Sequence, residues 1–366
     1  MYIPLLLLIF LRPFISSLAF IHANLVYSCL FIGAVFLWFF SKKRADLPEK
    51  EVSFPLVIFL LAVTLSWLFS SDKNNGVKEL YGYFTSVIIF LFAFLLTQKE
   101  DEQLRTVLSA SAFAIGILAI YQYFFGFRHV LEYMQKEGVT SEFALDYLSR
   151  RRVFFPFVTP NILGVYLAMC IFLVPKNRSR LAIILPLAIA LLLTKSLGAI
   201  ISILLASLVV LYCRKRAKKK ELAIFIGIIC AAIIIFFLRS SQEGTHHQPF
   251  FSGLMRFNYW RETISLIKQH PLLGMGPGNF NLPESRYAHN SYLQLWAETG
   301  LLGFASFLWL AWAILRKGLK EKSPVLTVFL IFLFHNLIDF SFFLPEVSFI
   351  WWLAGGLIAG KTKKAG

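Results

Sequence analysis

Long apolar runs recur from one end of the chain to the other, and short segments between them carry most of its charges. A helix needs about 20 residues to cross a hydrocarbon core of ~30 Å, and the runs are of that order of length. They lack the short alternating segments of a membrane barrel. The pattern therefore predicts an all-α, polytopic integral membrane protein with about 12 transmembrane helices. These helices are expected at residues 2–21, 23–40, 54–70, 80–97, 106–126, 157–175, 180–194, 197–213, 222–238, 291–315, 324–340 and 342–360.

The basic residues orient these helices, because Lys and Arg near helix ends are retained on the cytoplasmic side during insertion. With the N-terminus inside, six short segments face the cytoplasm, and they hold 22 of the 36 Lys and Arg residues. Both termini are then cytoplasmic. The basic cluster at residues 214–220 becomes a topology signal in this arrangement, so the net charge of +16 does not indicate nucleic-acid binding.

Residues 1–366 are expected to form a single integral membrane domain, since they include no soluble domain, low-complexity linker or obvious repeat. Composition agrees, with 58% hydrophobic residues and a mean hydropathy of +0.68. Two extracytoplasmic loops, at about 127–156 and 239–290, are longer than a simple hairpin, and the chemistry is expected there and in the helix ends beneath. The four cysteines have no paired spacing and predict neither a disulfide framework nor a zinc site.

A polar stripe marks the start of the tenth predicted helix, where the sequence reads HNSYLQLWAETG from His289. On a helix, Asn290, Gln294 and Glu298 fall four residues apart on one face. Ionisable groups at such a depth usually face a cavity or a partner. The alternative is structural: Glu298 pairs with a loop arginine and His289 only starts the helix. The stripe and the polar loop before it together favour a functional role.

Three glycines in the loop before His289, Gly274, Gly276 and Gly278, invite comparison with nucleotide-binding loops. No strand precedes them and no Gly-Lys-Ser/Thr follows, so neither the dinucleotide motif nor the P-loop has its structural context. Two readings stay open. The turn brings backbone amides near an anionic substrate, or it simply returns the chain to the membrane.

The stretch HPLLGMGPGNF followed by HNSYLQLWAETGLLG resembles the signature of the O-antigen ligase and polymerase superfamily. Three other places agree with it. FPFVTPNILGVYL at 155–167 is similar to a helix start of that family, Arg256 and Trp260 to its Arg-x-x-x-Trp helix, and HNLIDFSF at 335–342 to its late aspartate motif. The resemblance covers residues 150–345. It departs at TKSLGA, where Leu197 replaces an arginine thought to hold the lipid diphosphate and Lys195 is a candidate substitute.

The resemblance implies a GT-C-like membrane fold and inverting glycosyl transfer from an undecaprenyl-diphosphate-linked glycan to a hydroxyl on a second glycan. His289 is then the base that takes the acceptor proton. Asp339 orients His289 or binds an arginine. Arginines stabilise the leaving diphosphate through charge-assisted hydrogen bonds, and Arg256 is the best match. The remaining substrate-binding candidates are Lys195, Arg261, Arg150, Arg151, Arg152, Asn290 and Glu298.

Metal dependence is not predicted, and neither is any cofactor. The acidic cluster Glu100–Glu102 lies on the cytoplasmic side of the topology, and the long outer loops contain no acid-x-acid pair to hold a divalent ion. His246 and His247 are adjacent in a polar loop and are expected to be exposed rather than metal ligands.

The resulting hypothesis is an O-antigen ligase in a bacterial inner (cytoplasmic) membrane, acting at the periplasmic face on a lipid A-core sugar. An O-antigen polymerase or a protein O-oligosaccharyltransferase has closely similar chemistry, and the motifs do not choose among them. A twelve-helix secondary transporter is the alternative from another class. It is less favoured, because transporters place their polar groups near the midplane, whereas here they gather at one face.

Overall fold

The computed structural model describes residues 2–42, 47–138, 142–214, 226–230, 232–234 and 251–360. Within these ranges every regular element is helical. The helices are α1 (Tyr2–Leu11), α2 (Ile21–Phe40), α3 (Lys50–Leu68), α4 (Lys73–Phe94), α5 (Gln98–Tyr121), α6 (Phe127–Glu137), α7 (Glu142–Ser149), α8 (Pro160–Leu173), α9 (Arg180–Thr194), α10 (Leu197–Arg214), α11 (Phe251–Gln269), α12 (Ser291–Lys320), α13 (Leu326–His335) and α14 (Pro345–Ala359).

Five of the described helices are long and apolar enough to cross a membrane by length and composition: α2, α3, α4, α12 and the 40-residue helix Gln98–Glu137. Shorter apolar helices of 10–17 residues occupy most of the other predicted spans. The all-helical class is therefore confirmed for the described residues, and these helices are consistent with a polytopic membrane protein. The ninth predicted span, 222–238, lies mostly outside the described residues, so the number twelve and the orientation stay predictions.

The first predicted span is wrong as one continuous helix over 2–21. Helix α1 ends at Leu11 and is followed by a 3₁₀ turn at Arg12–Phe14, because Pro13 has no amide hydrogen and disfavours a helical residue before it. Arg12 is 2% exposed. Its Nη2 donates to Asn24 Oδ1 at 2.8 Å and lies 3.5 Å from Glu346 Oε2, which compensates the buried charge.

Both long predicted loops contain helices. Helix α5 continues through a π turn, Gln122–Gly126, directly into α6. The turn is used structurally, since Gln122 Oε1 accepts hydrogen bonds from the amides of Phe154 (2.8 Å) and Phe155 (3.0 Å) and so anchors the segment after α7. The second loop contains α11, which leads into the glycine-containing turn before α12.

The helices pack into one main core. Helix α3 lies against α12, α4 against α14, α10 against α13, and α8 contacts both α9 and α13. Small residues permit close approach, as is usual between membrane helices: a side chain on Gly356 of α14 would overlap the Phe90 carbonyl of α4. Trp351 fills the centre and stacks on Phe329 with ring centroids 5.0 Å apart.

A second, smaller apolar cluster lies at the N-terminal end of α12 and fixes α11 in place. It consists of Tyr259, Ile267, Phe280, Leu282, Ala288 and Ala297. Tyr259 and Ile267 come from α11, the next three residues from the loop, and Ala297 from α12. Burial of these side chains brings the arginine-bearing helix against the segment that contains His289.

Candidate active site around His289

His289 lies in the loop just before α12, in a left-handed backbone conformation with φ of 51°. Its ring stacks on Tyr259, with centroids 5.7 Å apart, and meets the edge of Phe340 at 4.9 Å. Its Nδ1 is buried without a hydrogen-bond partner among the described residues. Burial lowers the pKa of His289 to about 4, against the opposing charge of Asp339 and with the help of Arg256. The imidazole is therefore neutral at pH 7 and able to accept a proton.

The residues that follow His289 hold the start of α12. Asn290 is its N-cap, and Asn290 Oδ1 accepts from the amides of Tyr292 (3.0 Å) and Leu293 (3.1 Å). The Ser291 amide donates to the carbonyls of Asn336 (2.9 Å) and Asp339 (3.1 Å). These bonds tie the start of α12 to the segment after α13, and they bring Asp339 next to His289.

The polar stripe on α12 forms a hydrogen-bond chain. Gly278 N donates to Glu298 Oε2 at 3.3 Å, and Gln294 Nε2 donates to Glu298 Oε1 at 3.0 Å. Gln294 Oε1 then accepts from the amide of Ala288 at 3.1 Å. The chain connects the glycine turn to the residue before His289, so these contacts give Asn290 and Glu298 positioning roles. Direct substrate contact by either side chain stays a prediction.

Helix α12 is broken at Gly300, whose φ of 66° and ψ of −173° are not helical. The loop satisfies the backbone groups that the break releases. The amides of Met275 and Gly276 donate to the carbonyls of Ala297 and Glu298, both at 2.9 Å, and Leu301 N donates to the Pro271 carbonyl, also at 2.9 Å.

The glycine turn therefore has an internal role. Side chains on Gly274 or Gly300 would overlap the facing backbone, which explains the glycines. The Gly274 amide donates to the His270 carbonyl, and the Gly276 and Gly278 amides bind the α12 break and Glu298. All three amides are in use, so the turn returns the chain to α12 and is not an anion cradle.

Asp339 and Arg256 carry opposite charges, and both lie close enough to His289 to act on it. Asp339 is 2% exposed, and its Oδ1 accepts from the Phe340 amide at 2.8 Å. Arg256, on α11, is half-buried, and its Nε has no hydrogen-bond partner within the described part of the chain. Both charges act on the pKa of His289, so the structure brings together the three residues predicted to be catalytic.

A second histidine, His335, lies in the same group and was not predicted from the sequence as a site residue. It is fully buried at the end of α13, with Nδ1 3.0 Å from Ser341 Oγ. Its Nε2 has no partner among the residues described. Gly198 of α10 lies beside the same edge of the ring, where a Cβ on this glycine would be 3.7 Å from Nε2. The only sequence signal was its place at the head of HNLIDFSF.

Arg152 docks on the turn between α9 and α10. Its Nε donates to the Thr194 carbonyl at 3.1 Å, and its Nη2 donates to Asn161 Oδ1 at 2.9 Å. Lys195, in a left-handed conformation at the same turn, donates from Nζ to the Arg150 carbonyl at 2.7 Å. Two buried cations thus lie at the turn where Leu197 stands in place of the family arginine.

Tyr147 of α7 connects this turn to the histidine. Its ring lies under the Arg152 guanidinium, 5.4 Å from the ring centroid. Burial raises the pKa of Tyr147, and the charges of Arg152, Asp339 and Arg256 also act on it. The basic turn and the His289 group therefore share one neighbourhood.

Three predicted arginines do not converge on His289. Arg150 forms an ion pair with Asp146 at 2.8 Å. Arg151 is exposed, with its guanidinium 4.7 Å from the centroid of the Tyr123 ring. Arg261 is exposed on α11 and makes no ion pair with any described residue. Their roles in substrate binding stay predictions without a contact to support them.

The described residues include no group of three His, Cys, Asp or Glu side chains that could hold a metal ion. His246 and His247 lie outside the described residues. All four cysteines are free thiols.

Comparison with known proteins gives one family match. Residues 181–308 match a family described as O-antigen ligase. The matched segment contains the α9–α10 turn, Arg256, the glycine turn and His289, whereas Arg152 and Asp339 lie outside it. No curated protein matches the chain.

Proposed function

We propose, since residues 181–308 match a family described as O-antigen ligase, that the chain is an inverting glycosyltransferase of a bacterial inner membrane. It moves a glycan from undecaprenyl diphosphate to a sugar hydroxyl of lipid A-core, without a metal or cofactor. The observation that carries the proposal is the half-buried His289, which packs between Tyr259 and Phe340 with an unpartnered Nδ1 and feels the charges of both Arg256 and Asp339. With the N-terminus in the cytoplasm, this end of α12 faces the periplasm, where both lipid-linked substrates are found, in a GT-C-like arrangement of about 12 spans.

The acceptor hydroxyl is a weak nucleophile, and the neutral His289 imidazole takes its proton as attack proceeds. The acceptor oxygen bonds to the anomeric carbon of the donor. The bond from that carbon to the diphosphate oxygen breaks, and the diphosphate leaves with the electron pair. Asp339 stabilises the imidazolium that forms, because its charge favours the protonated ring.

The leaving diphosphate needs cations on the side of the sugar opposite the attacking hydroxyl. Arg256, Arg152 and Lys195 supply them in the neighbourhood of His289. Arg152 is the better replacement for the arginine missing at Leu197, because it fixes a positive charge at the same turn through its bonds to Thr194 and Asn161. Lys195 supports the turn through the Arg150 carbonyl.

The direct test is His289→Ala in a reconstituted assay with an undecaprenyl-diphosphate glycan and lipid A-core. Loss of a general base lowers turnover by ~10²–10⁴, with donor binding retained. Arg256→Ala is expected to weaken donor binding as well as turnover. Exposed His129→Ala and Arg128→Ala on α6 are the matched controls. A fully active His289→Ala enzyme removes the centre of the mechanism.

Ligase and polymerase chemistry are separated in a deletion strain by gel analysis of its lipopolysaccharide. A bare core with carrier-linked polymer accumulating supports the ligase. Single repeats on the core favour the polymerase instead. Turnover that is lost in EDTA and restored by magnesium or manganese would contradict the metal-independent mechanism.

A further inference from the structure

A second polar cavity, of about 490 Å³, lies close to His289 but is separate from the basic turn. It is formed by the Arg12 turn, α2, α4, residues 278–287 and the start of α14. Its volume is within the ~300–1,000 Å³ of typical small-molecule sites. Within the described residues, none from α7 to α10 contributes to its wall.

An aromatic partition separates this cavity from the catalytic histidine. Tyr287 lines the cavity and stacks on Phe340, with ring centroids 4.1 Å apart and planes 10° from parallel. The same Phe340 meets the His289 ring at 4.9 Å. Two aromatic rings, Tyr287 and Phe340, therefore lie between a sugar packed on the cavity side of Tyr287 and the imidazole, so the reacting hydroxyl belongs to a sugar of the same glycan that extends past Phe340.

The chemistry of the wall suits a charged saccharide. Amides from Asn75, Asn279 and Asn281 line the cavity, together with several hydroxyl groups, and such groups bind sugar hydroxyls. Lys78 and Arg286 also line it and are exposed. Neither forms an ion pair within 4.0 Å with a described residue. One carboxyl group, Glu79, also lines the cavity and feels the charge of Arg286, so the two exposed cations outnumber the single acid.

The cavity also has an exposed apolar edge at the end of a helix long enough to span a membrane. Ile21 at the start of α2 is 51% exposed and lines the cavity, so a glycan whose lipid anchor stays in the bilayer has a lateral route to it. The glycine turn forms the opposite wall through Gly278 and Asn279. The same turn is bonded to Glu298 and through it to the His289 segment.

In an inverting displacement, the nucleophile and the leaving group must occupy opposite sides of the reacting carbon. The basic turn with Arg152 and Lys195 supplies the diphosphate side. We propose that the cavity seats the acceptor, an anionic lipid-linked saccharide whose charged group contacts Lys78 and Arg286 and whose sugar packs on Tyr287. This assignment rests on the proposed function, since it divides the two substrates of that reaction between two sites.

Gly82 provides a way to fill the cavity without disturbing the His289 group. It lies on α4 and lines the cavity, and a Cβ placed there meets nothing within 4 Å. Gly33 on α2 is an equally open position that does not line the cavity. Gly82→Trp is therefore the test variant, and Gly33→Trp is its matched control.

The experiment uses full-length protein in nanodiscs, labelled undecaprenyl-diphosphate glycan as donor, and rough lipopolysaccharide with a phosphorylated core as acceptor. Three quantities are measured: acceptor binding without donor, transfer to acceptor, and slow release of glycan to water without acceptor. Gly82→Trp is expected to weaken acceptor binding and transfer at least tenfold. Release to water stays within twofold of Gly33→Trp.

The double variant Lys78→Gln/Arg286→Gln tests the charge without filling the cavity. Its acceptor KM is expected to rise about tenfold for the phosphorylated core and by much less for the same core after phosphatase treatment. Unchanged acceptor binding in both variants overturns the inference. Equal loss of transfer and of release to water in Gly82→Trp assigns the cavity to the donor and also overturns it. If the wild type binds acceptor but neither transfers nor releases glycan, the proposed function fails instead.

Discussion

Glu298→Gln is a nearly isosteric change, yet the hydrogen-bond chain on α12 predicts that it destabilises the protein. Both groups that Glu298 binds are donors, Gly278 N at 3.3 Å and Gln294 Nε2 at 3.0 Å. A carboxylate accepts from both. A carboxamide has one oxygen, so its NH₂ group must face a donor.

Flipping the neighbouring amide gives no relief. If Gln294 turns over to offer its oxygen to the new NH₂, its own NH₂ then faces the Ala288 amide, which now donates to Gln294 Oε1 at 3.1 Å. Two carboxamides between two backbone N–H groups always leave one mismatch. A buried donor without an acceptor costs ~1–3 kcal/mol, so the free energy of unfolding is expected to fall by that amount.

The assay is equilibrium unfolding in mixed micelles, with turnover measured on the same preparations. The chain contains a matched control: Gln98 Nε2 donates to Glu102 Oε1 at 3.4 Å in an exposed pair with the same i, i+4 spacing. Glu102→Gln is expected to change stability by less than ~0.5 kcal/mol. If Glu298→Gln unfolds like Glu102→Gln, the polarised chain described above is not what holds the glycine turn and the His289 segment.

Three further predictions concern the break in α12 and the titration of His289. Gly300→Ala is expected to lower the free energy of unfolding by at least ~1–3 kcal/mol, which is the cost of a side chain in such a backbone conformation. Its control is Gly33→Ala, at an open helical position, which is expected to raise the free energy of unfolding by ~0.5–1 kcal/mol. Equal effects of the two variants on unfolding in micelles would contradict a strained break in α12. In the pH profile of kcat/KM, the acid limb of the wild-type protein is expected near the His289 pKa of about 4. The limb is expected at lower pH in Asp339→Asn and at higher pH in Arg256→Gln. Identical acid limbs in the wild type and both variants would argue against His289 as the base. The folded pKa of His289, about 4, lies below the value of 6.5 for an unperturbed histidine, so the unfolded chain binds the proton first as pH falls. The free energy of unfolding is therefore expected to decrease as pH falls from 6.5 to 4.

Hydrophobic periodicity was sufficient for the helical class and for most helix positions, because membrane spans are encoded locally. It was less able to locate helix ends. Helix α13 ends at His335, five residues before the predicted 340, although Leu337, Ile338 and Phe340 continue the apolar run. The helix nevertheless ends there, because the backbone turns so that the carbonyls of Asn336 and Asp339 accept hydrogen bonds from the Ser291 amide. Such an ending depends on a partner about 45 residues away.

Part of the candidate site could also be predicted from the sequence. Motif resemblance selected His289, Arg256 and Asp339 as candidates, and the structure places the two charges close enough to act on the histidine, while their catalytic roles stay predictions. Arg152 was one of three equivalent arginines in sequence, and only the meeting of α7 with the α9–α10 turn distinguishes it. Tyr147 and His335 carried no distinctive pattern, since an aromatic in a short helix and a histidine in an apolar run are ordinary core residues.

The break in α12 explains how His289, a loop residue, is held in place. An intact helix satisfies its own backbone and needs no neighbour, whereas the break at Gly300 requires the loop at residues 271–276 as a hydrogen-bond partner. That loop continues into Gly278, which lines the second cavity and donates to Glu298. The cavity wall and the backbone before His289 are thus joined by one short chain of hydrogen bonds. Under the proposed function, an acceptor glycan that packs on this wall is held in a fixed position relative to His289, so that its reacting hydroxyl can be presented to the imidazole.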